Sequence, residues 1–120
     1  MDAGTMLRTA ACLFVLTALG GLLMAWIRFG GKRNPPIWIT MAHGLLAGAG
    51  VTLLAYATFT TSVPRTAVIA LLLFLIAAAG GVLMNLRYEW NRQLLPAPLL
   101  VGHASIAVIA FVLVLVAAWG

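Results

Sequence analysis

The sequence predicts an all-α fold, a bundle of four transmembrane helices in an up-down-up-down arrangement built from a tandem two-helix repeat. Three observations support this prediction. The 120-residue chain is 64% hydrophobic and 8% charged, with a mean hydropathy of +1.13. Four apolar stretches of membrane-spanning length are separated by short segments rich in glycine and proline. Many residues also recur at an offset of 60 positions.

The composition indicates that the protein is surrounded mostly by lipid and that its secondary structure is helical. Soluble domains carry about 25% charged residues, so 8% cannot cover the surface of a soluble protein. In lipid, backbone polar groups must be satisfied within the structure, which leaves helices or a closed barrel. The apolar stretches are longer than barrel strands and do not alternate, so they predict helices.

The four spans are expected to be similar in length and joined by short connections. Each has roughly 21–23 residues, or about 32–35 Å of helix, enough to cross a bilayer. The predicted spans are 7–29, 37–59, 67–88 and 99–119. Short connections make sequential helices antiparallel neighbours. We interpret the first span as a structural helix and not as a signal peptide, because it matches residues 70–84.

Basic residues predict how the chain is oriented in the membrane. Five basic residues lie beside the first and third connections: Arg28, Lys32, Arg33, Arg87 and Arg92. Two lie on the opposite side, Arg8 and Arg65. This bias predicts that both termini lie outside the cytoplasm. We expect an integral protein of the bacterial inner membrane. The net charge of +5 lies at the ends of apolar spans, where it meets lipid headgroups. We therefore expect no nucleic-acid partner.

The repeat divides the membrane domain into two units, residues 1–60 and 61–120. The matching pairs are Ala10/Ala70, Leu13/Leu73, Phe14/Phe74, Ala18/Ala78, Gly20/Gly80, Gly21/Gly81, Leu23/Leu83, Met24/Met84, Pro36/Pro96, His43/His103, Ala47/Ala107, Leu53/Leu113 and Ala57/Ala117. Two-helix units start on the same side of the membrane and are related by an axis along its normal. His43 and His103 are therefore expected at equal depth, on diagonal helices, facing each other across that axis.

This histidine pair is the candidate site. Ionisable side chains are costly inside a span and mark function by default, and a facing pair suggests one metal ion or haem between them. Small residues lie one and two turns beyond each histidine and leave room for a flat ring: Ala47, Gly50, Ala107 and Ala110. Met24 and Met84 are expected at a similar depth, in the pocket. Arg28 and Arg87 are expected just beyond the histidines, on the propionate side.

With these two histidines, the chain resembles the membrane b-type cytochromes, in which histidines from two helices of a four-helix unit hold a haem. The resemblance implies one haem b ligated by His43 and His103, and electron transfer as the function. It also implies quinone as a lipid-soluble partner, and a homo-oligomer or other membrane redox subunits as protein partners. Larger members carry two histidines on each ligating helix, whereas this chain has one, so a second bis-histidine haem is excluded.

Two alternatives remain open from the sequence. A cofactor-free accessory subunit of a larger membrane complex would use the histidines to bond helices together. A Cu(I)-binding membrane protein would combine the two histidines with the thioethers of Met24 and Met84. A stand-alone enzyme is not predicted and no catalytic residue is assigned, because the chain has no base–carboxylate pair and no phosphate-binding glycine loop. Thr40 and Thr52 are expected to bond the backbone of their own helix.

Overall fold

A computed structural model describes all residues 1–120 and is composed of helices without strands. The helices are α1 (Ala3–Gly30), α2 (Ile37–Thr60), α3 (Arg65–Met84) and α4 (Ala97–Trp119). A π-helical turn, Asn85–Glu89, continues α3 to its end. All four helices are long and apolar enough to cross a membrane. The all-α prediction and the four spans are thus confirmed.

The helix ends follow the local chemistry of capping. Pro36, Pro64 and Pro96 immediately precede α2, α3 and α4, where a residue without an N–H costs nothing. Helix α1 begins four residues before the predicted span because Asp2 caps it: the Asp2 carboxylate accepts a hydrogen bond of 2.7 Å from the Thr5 N–H. That bond lowers the pKa of the Asp2 carboxyl.

Each helix packs against two others. Helix α1 contacts α2 and α4, and α3 also contacts α2 and α4, with the pairs α1–α2 and α3–α4 the most extensive. At one end, the Asn34 side chain joins the first and third connections: its Nδ2 donates to the Gln93 carbonyl (2.7 Å) and its Oδ1 accepts from the Leu95 N–H (2.9 Å). At the other end, Arg8 Nε donates to the Ala118 carbonyl (3.3 Å).

Most of the large buried side chains lie in the half of the bundle that contains Arg8 and Ala118, while Ile39, Met84 and Leu95 are buried in the other half. The core cluster consists of Met6, Leu7, Ala10, Ala11, Phe14, Leu54, Ala57, Ala67, Ala70, Leu71, Phe74, Ala110, Val114 and Ala118. At its centre the rings of Phe14 and Phe74 stack with centroids 4.0 Å apart and planes 10° apart. In the half that contains the histidines, no residue of α2 before Leu54 belongs to this cluster. Close packing of large side chains is therefore concentrated away from the histidines.

Gly50 is required by the position of the Phe14 ring. A Cβ at Gly50 would lie 2.7–3.0 Å from three Phe14 ring atoms, whereas one at Gly48 would meet nothing within 4 Å. We expect Gly50→Ala to displace the stacked ring and to lower the free energy of unfolding by about 1–3 kcal/mol. Gly48→Ala, the matched control, should be neutral or gain up to about 1 kcal/mol from helix propensity. Thermal unfolding in detergent compares the two, and equal melting temperatures would contradict the packing described.

Candidate functional site

The two histidine rings face each other in the bundle interior. His43 lies on α2 and His103 on α4, two helices that do not pack directly against each other. Their ring centroids are 6.3 Å apart and their planes are inclined by 67°. Both side chains are partly buried. The structure therefore brings together the two residues that the sequence analysis singled out.

Both imidazoles make the same hydrogen bond to the neighbouring helix. His43 Nδ1 lies 2.8 Å from the Thr17 carbonyl oxygen on α1, and His103 Nδ1 lies 2.8 Å from the Ala77 carbonyl oxygen on α3. A carbonyl oxygen only accepts, so the proton of each neutral ring is assigned to Nδ1. Each Nε2 then keeps its lone pair, the state in which imidazole binds a metal ion.

Gly21 on α1 and Gly81 on α3 allow the two imidazole rings to lie close to the backbone of these helices. A Cβ at Gly21 would lie 3.0 Å from His43 Cε1, and a Cβ at Gly81 would lie 3.2 Å from His103 Cε1. Each glycine lies one turn after the residue whose carbonyl accepts the imidazole hydrogen bond. These contacts between glycines and histidines were not predicted, although the offset of 60 positions within each pair is a signal in the sequence.

The donor set and its spacing fit one metal centre between the rings. Two metal–nitrogen bonds of about 2 Å each, plus about 1 Å from each nitrogen to its ring centre, separate two ring centroids by about 6 Å. The observed separation is 6.3 Å. Small side chains lie next to the histidines: Ala47 and Ala107 are half-buried and follow His43 and His103 by one helical turn. The residues present therefore suit one iron ligated on both sides, as in a bis-histidine haem.

Two of the residues expected in the pocket lie deeper in the packed core. Gly50 contacts the Phe14 ring and Ala110 is fully buried within the core cluster. Met84 is buried, with 6% of its surface exposed, whereas Met24 is partly exposed. Burial of Met84 follows from its position on the face of α3 that also contains Gly81, three residues earlier.

Arg28 and Arg87 lie at the end of the bundle where the first and third connections meet. Arg28 Nε donates to the Leu95 carbonyl (2.8 Å), and its guanidinium lies 5.4 Å from the centroid of the Phe29 ring. An Arg87 guanidinium N–H donates to Gln93 Oε1 (2.9 Å), and this guanidinium lies 5.2 Å from the centroid of the Tyr88 ring. Both cations thus already bind protein partners, although each retains further N–H donors.

Polar contacts at this same end were not predicted from the sequence. Thr52 bonds the Gly48 carbonyl of its own helix as expected, but the expectation for Thr40 was wrong: its hydroxyl donates to Glu89 Oε2 at 2.9 Å. The π-helical turn carries Glu89 to α2, which helical periodicity alone does not predict. On the same turn, the buried Asn85 Nδ2 has no hydrogen-bond partner.

Two shallow grooves open on the outer surface, away from the histidines. One of about 540 Å³ is lined by α2 alone, where Gly44 and Gly48 leave space between Leu45 and Tyr56. The other, of about 460 Å³, runs between α1 and α4 beside Phe29 and Ser105. Neither of these two grooves is lined by His43 or His103.

No cluster of three or more His, Cys, Asp or Glu side chains is placed to hold a metal ion. A bare ion at the histidines would need further ligands, such as methionine sulfur, a backbone carbonyl or water, whereas a porphyrin brings four nitrogen ligands of its own and needs only two from the protein. Comparison of the chain with protein-family models, curated proteins and solved structures gives no match.

Proposed function

We propose that the protein is a membrane b-type cytochrome that holds one haem between His43 and His103 and transfers electrons. One observation carries the proposal: two imidazoles, each held by an Nδ1 hydrogen bond of 2.8 Å to a carbonyl, face each other with centroids 6.3 Å apart. This leaves the Nε2 lone pair of each ring free, and the ring centroids lie at about the separation that two imidazoles bound to a single iron would have.

The proposal includes a tandem repeat in an up-down-up-down bundle, residues 1–60 and 61–120. Equivalent contacts support it, because the partners of His43 are Thr17 and Gly21 and those of His103 are Ala77 and Gly81, each shifted by 60 positions. The charge bias supports an orientation in the bacterial inner membrane with both termini outside the cytoplasm. In that orientation, the histidines lie in the cytoplasmic half of the bilayer.

A haem bound here would supply a one-electron carrier, and the chain would set its environment. The neutral imidazoles would ligate through Nε2, while the carbonyl hydrogen bonds at Nδ1 fix the ring orientation and raise the basicity of the ligand. The stacked Phe14 and Phe74 close the interior towards the opposite end of the bundle. Ligand identity, hydrogen bonding to the ligands and burial are the properties that tune the redox potential of such a site.

The proposed partners follow from the surface. Large hydrophobic side chains are exposed along all four helices, as expected for contact with lipid. A lipid-soluble quinone fits an electron carrier with so little surface outside the membrane. Other membrane redox subunits, or further copies of the chain, are the protein partners consistent with this surface.

A redox titration of the purified protein tests the proposed function. We expect one reversible one-electron transition in the absorption spectrum, and reduction of the same chromophore by a short-chain quinol. A chromophore that titrates with a different electron number, or that no membrane-soluble reductant reduces, would contradict electron transfer as the function.

Two competing functions make different predictions at the same residues. Hydrogen bonds from imidazole to carbonyl also hold helices together in a cofactor-free subunit. A Cu(I) site would need thioether ligands, so Met24→Leu combined with Met84→Leu should remove the metal. The cytochrome should keep its haem in this double variant, because leucine conserves the apolar volume of methionine. Metal analysis and the absorption spectrum of the double variant separate these cases.

A further inference from the structure

Asn85 carries the only buried side-chain nitrogen or oxygen atom without a hydrogen-bond partner. Leaving a buried N–H unpaired costs free energy, and such an atom in a native structure calls for an explanation. The neighbouring polar side chains at this end of the bundle are paired: Arg28 with Leu95, Arg87 with Gln93, and Thr40 with Glu89. Asn85 is therefore the one buried donor that the protein itself leaves unused.

The position of Asn85 relates this donor to the histidine site. Asn85 follows Gly81 by four residues on α3 and its π-helical continuation, so the two share one face about 6 Å apart along the axis. Gly81 is the residue that contacts the His103 ring, with a would-be Cβ 3.2 Å from Cε1. The Asn85 amide thus lies about one turn beyond the imidazoles, towards the connections, next to the buried Met84.

Asn85 also breaks the symmetry between the two halves of the chain. The residue 60 positions earlier is Ala25, which lies at the edge of the outer groove between α1 and α4. If positions 25 and 85 served only helix packing, an apolar residue would suit both. An amide with a buried, unpaired nitrogen on one side only is expected where the ligand carries its acceptor groups along one edge.

We infer that Asn85 Nδ2 donates a hydrogen bond to a propionate carboxylate of the haem. The inference rests on the proposed function and assigns the orientation of the haem: its propionate edge faces the end with the first and third connections. A hydrogen bond to a carboxylate is charge-assisted and stronger than one between neutral groups. Arg28 and Arg87 supply positive charge at the same end, while Asn85 makes the direct contact.

Haem release from the holoprotein tests this inference. We expect Asn85→Leu, which keeps the approximate volume but removes the donor, to release haem b to an excess of acceptor about tenfold faster, a change equivalent to about 1.4 kcal/mol. Asn85→Asp, which offers only acceptors and a negative charge, should release it faster still. Asn91→Leu is the matched control, because Asn91 is exposed and donates only to the backbone carbonyls of Leu86 and Arg87. Its release rate should equal that of the unsubstituted protein.

A porphyrin without carboxylates identifies the acceptor. When the proteins carry iron octaethylporphyrin, Asn85→Leu and the unsubstituted chain should release it at the same rate. The resonance Raman band of the propionate bending mode should shift in Asn85→Leu and not in Asn91→Leu. The inference is overturned if Asn85→Leu speeds the release of both porphyrins equally, if it leaves haem b release unchanged, or if Asn85→Asp holds haem b normally.

The outcome for the unsubstituted protein separates the two proposals. If the protein binds haem b but Asn85→Leu does not change the rate of haem release, the propionate contact is overturned and the cytochrome proposal stands. A chain that binds no haem overturns both.

Discussion

Replacing either His43 or His103 by alanine is expected to abolish haem binding, reducing the haem content from about one per chain to near zero. Each imidazole would supply one of only two protein ligands to the iron, and no other histidine is present to take its place. The alanine variants should also lose the carbonyl hydrogen bonds to Thr17 and Ala77, so helix packing is weakened as well. Haem quantification of the purified variants, normalised to protein, measures the effect.

Ser105→Ala provides the control for the histidine variants. Ser105 is on the same helix as His103, is exposed, and donates only to the Val101 carbonyl of its own helix. This variant should retain a full complement of haem. Haem retained in both single histidine variants would exclude the assigned ligands, and the cofactor-free subunit would then be the better account.

Valine at Gly21 or Gly81 is expected to produce the second largest effect. The first added carbon would already lie 3.0 Å from His43 Cε1 or 3.2 Å from His103 Cε1, and the branches of valine need still more room. The imidazole must therefore move away from its carbonyl partner and out of the position from which it would ligate a haem iron. We expect haem affinity to fall by at least about tenfold, since the hydrogen-bond partners that orient metal-binding histidines typically contribute about 10–100-fold.

Gly44→Val and Gly102→Val are the matched controls for this second prediction. A Cβ at either position meets nothing within 4 Å, and each glycine is adjacent in sequence to one of the two histidines. The controls should bind haem like the unsubstituted protein, as judged by titration in detergent. Similar losses in all four variants would mean that the glycines matter for helix formation in general and not for positioning the imidazoles.

Hydropathy and repeat spacing predicted the helices and the histidine pair for clear physical reasons. A membrane span must be a long apolar helix, so the four spans were recognisable from composition, and prolines marked three of the helix starts. The two histidines are the only ones in the chain and are related by the repeat offset, so the sequence predicts that they lie at the same depth. Diagonal helices in a four-helix arrangement then made them face each other.

The finer features of the site depend on contacts between helices that have no residue signature. The carbonyls that accept from His43 and His103 belong to Thr17 and Ala77, and a backbone carbonyl can be supplied by any residue type. The spacing of Gly50 from His43 predicts a place in the pocket, but the relative register of α1 and α2 places the Phe14 ring against it. Register of this kind is set by the packing of whole helix faces.

The polar end of the bundle was unpredictable for a different reason. A π-helical turn changes the angular position of every residue after it, so regular helical periodicity misplaces Glu89. The bond from Thr40 to Glu89 and the unpaired amide of Asn85 both depend on this turn or lie within it. Departures from regular helix are common at functional sites, which is consistent with a ligand contact at Asn85.

The most direct test of the central claim is the absorption spectrum of the detergent-purified protein, oxidised and then reduced with dithionite, after expression with an adequate supply of haem. The account predicts a Soret band and a sharp reduced α-band of a low-spin b-type haem, at about one haem per chain. A purified, folded chain without a Soret band would contradict it, and bound copper would then be the next quantity to measure.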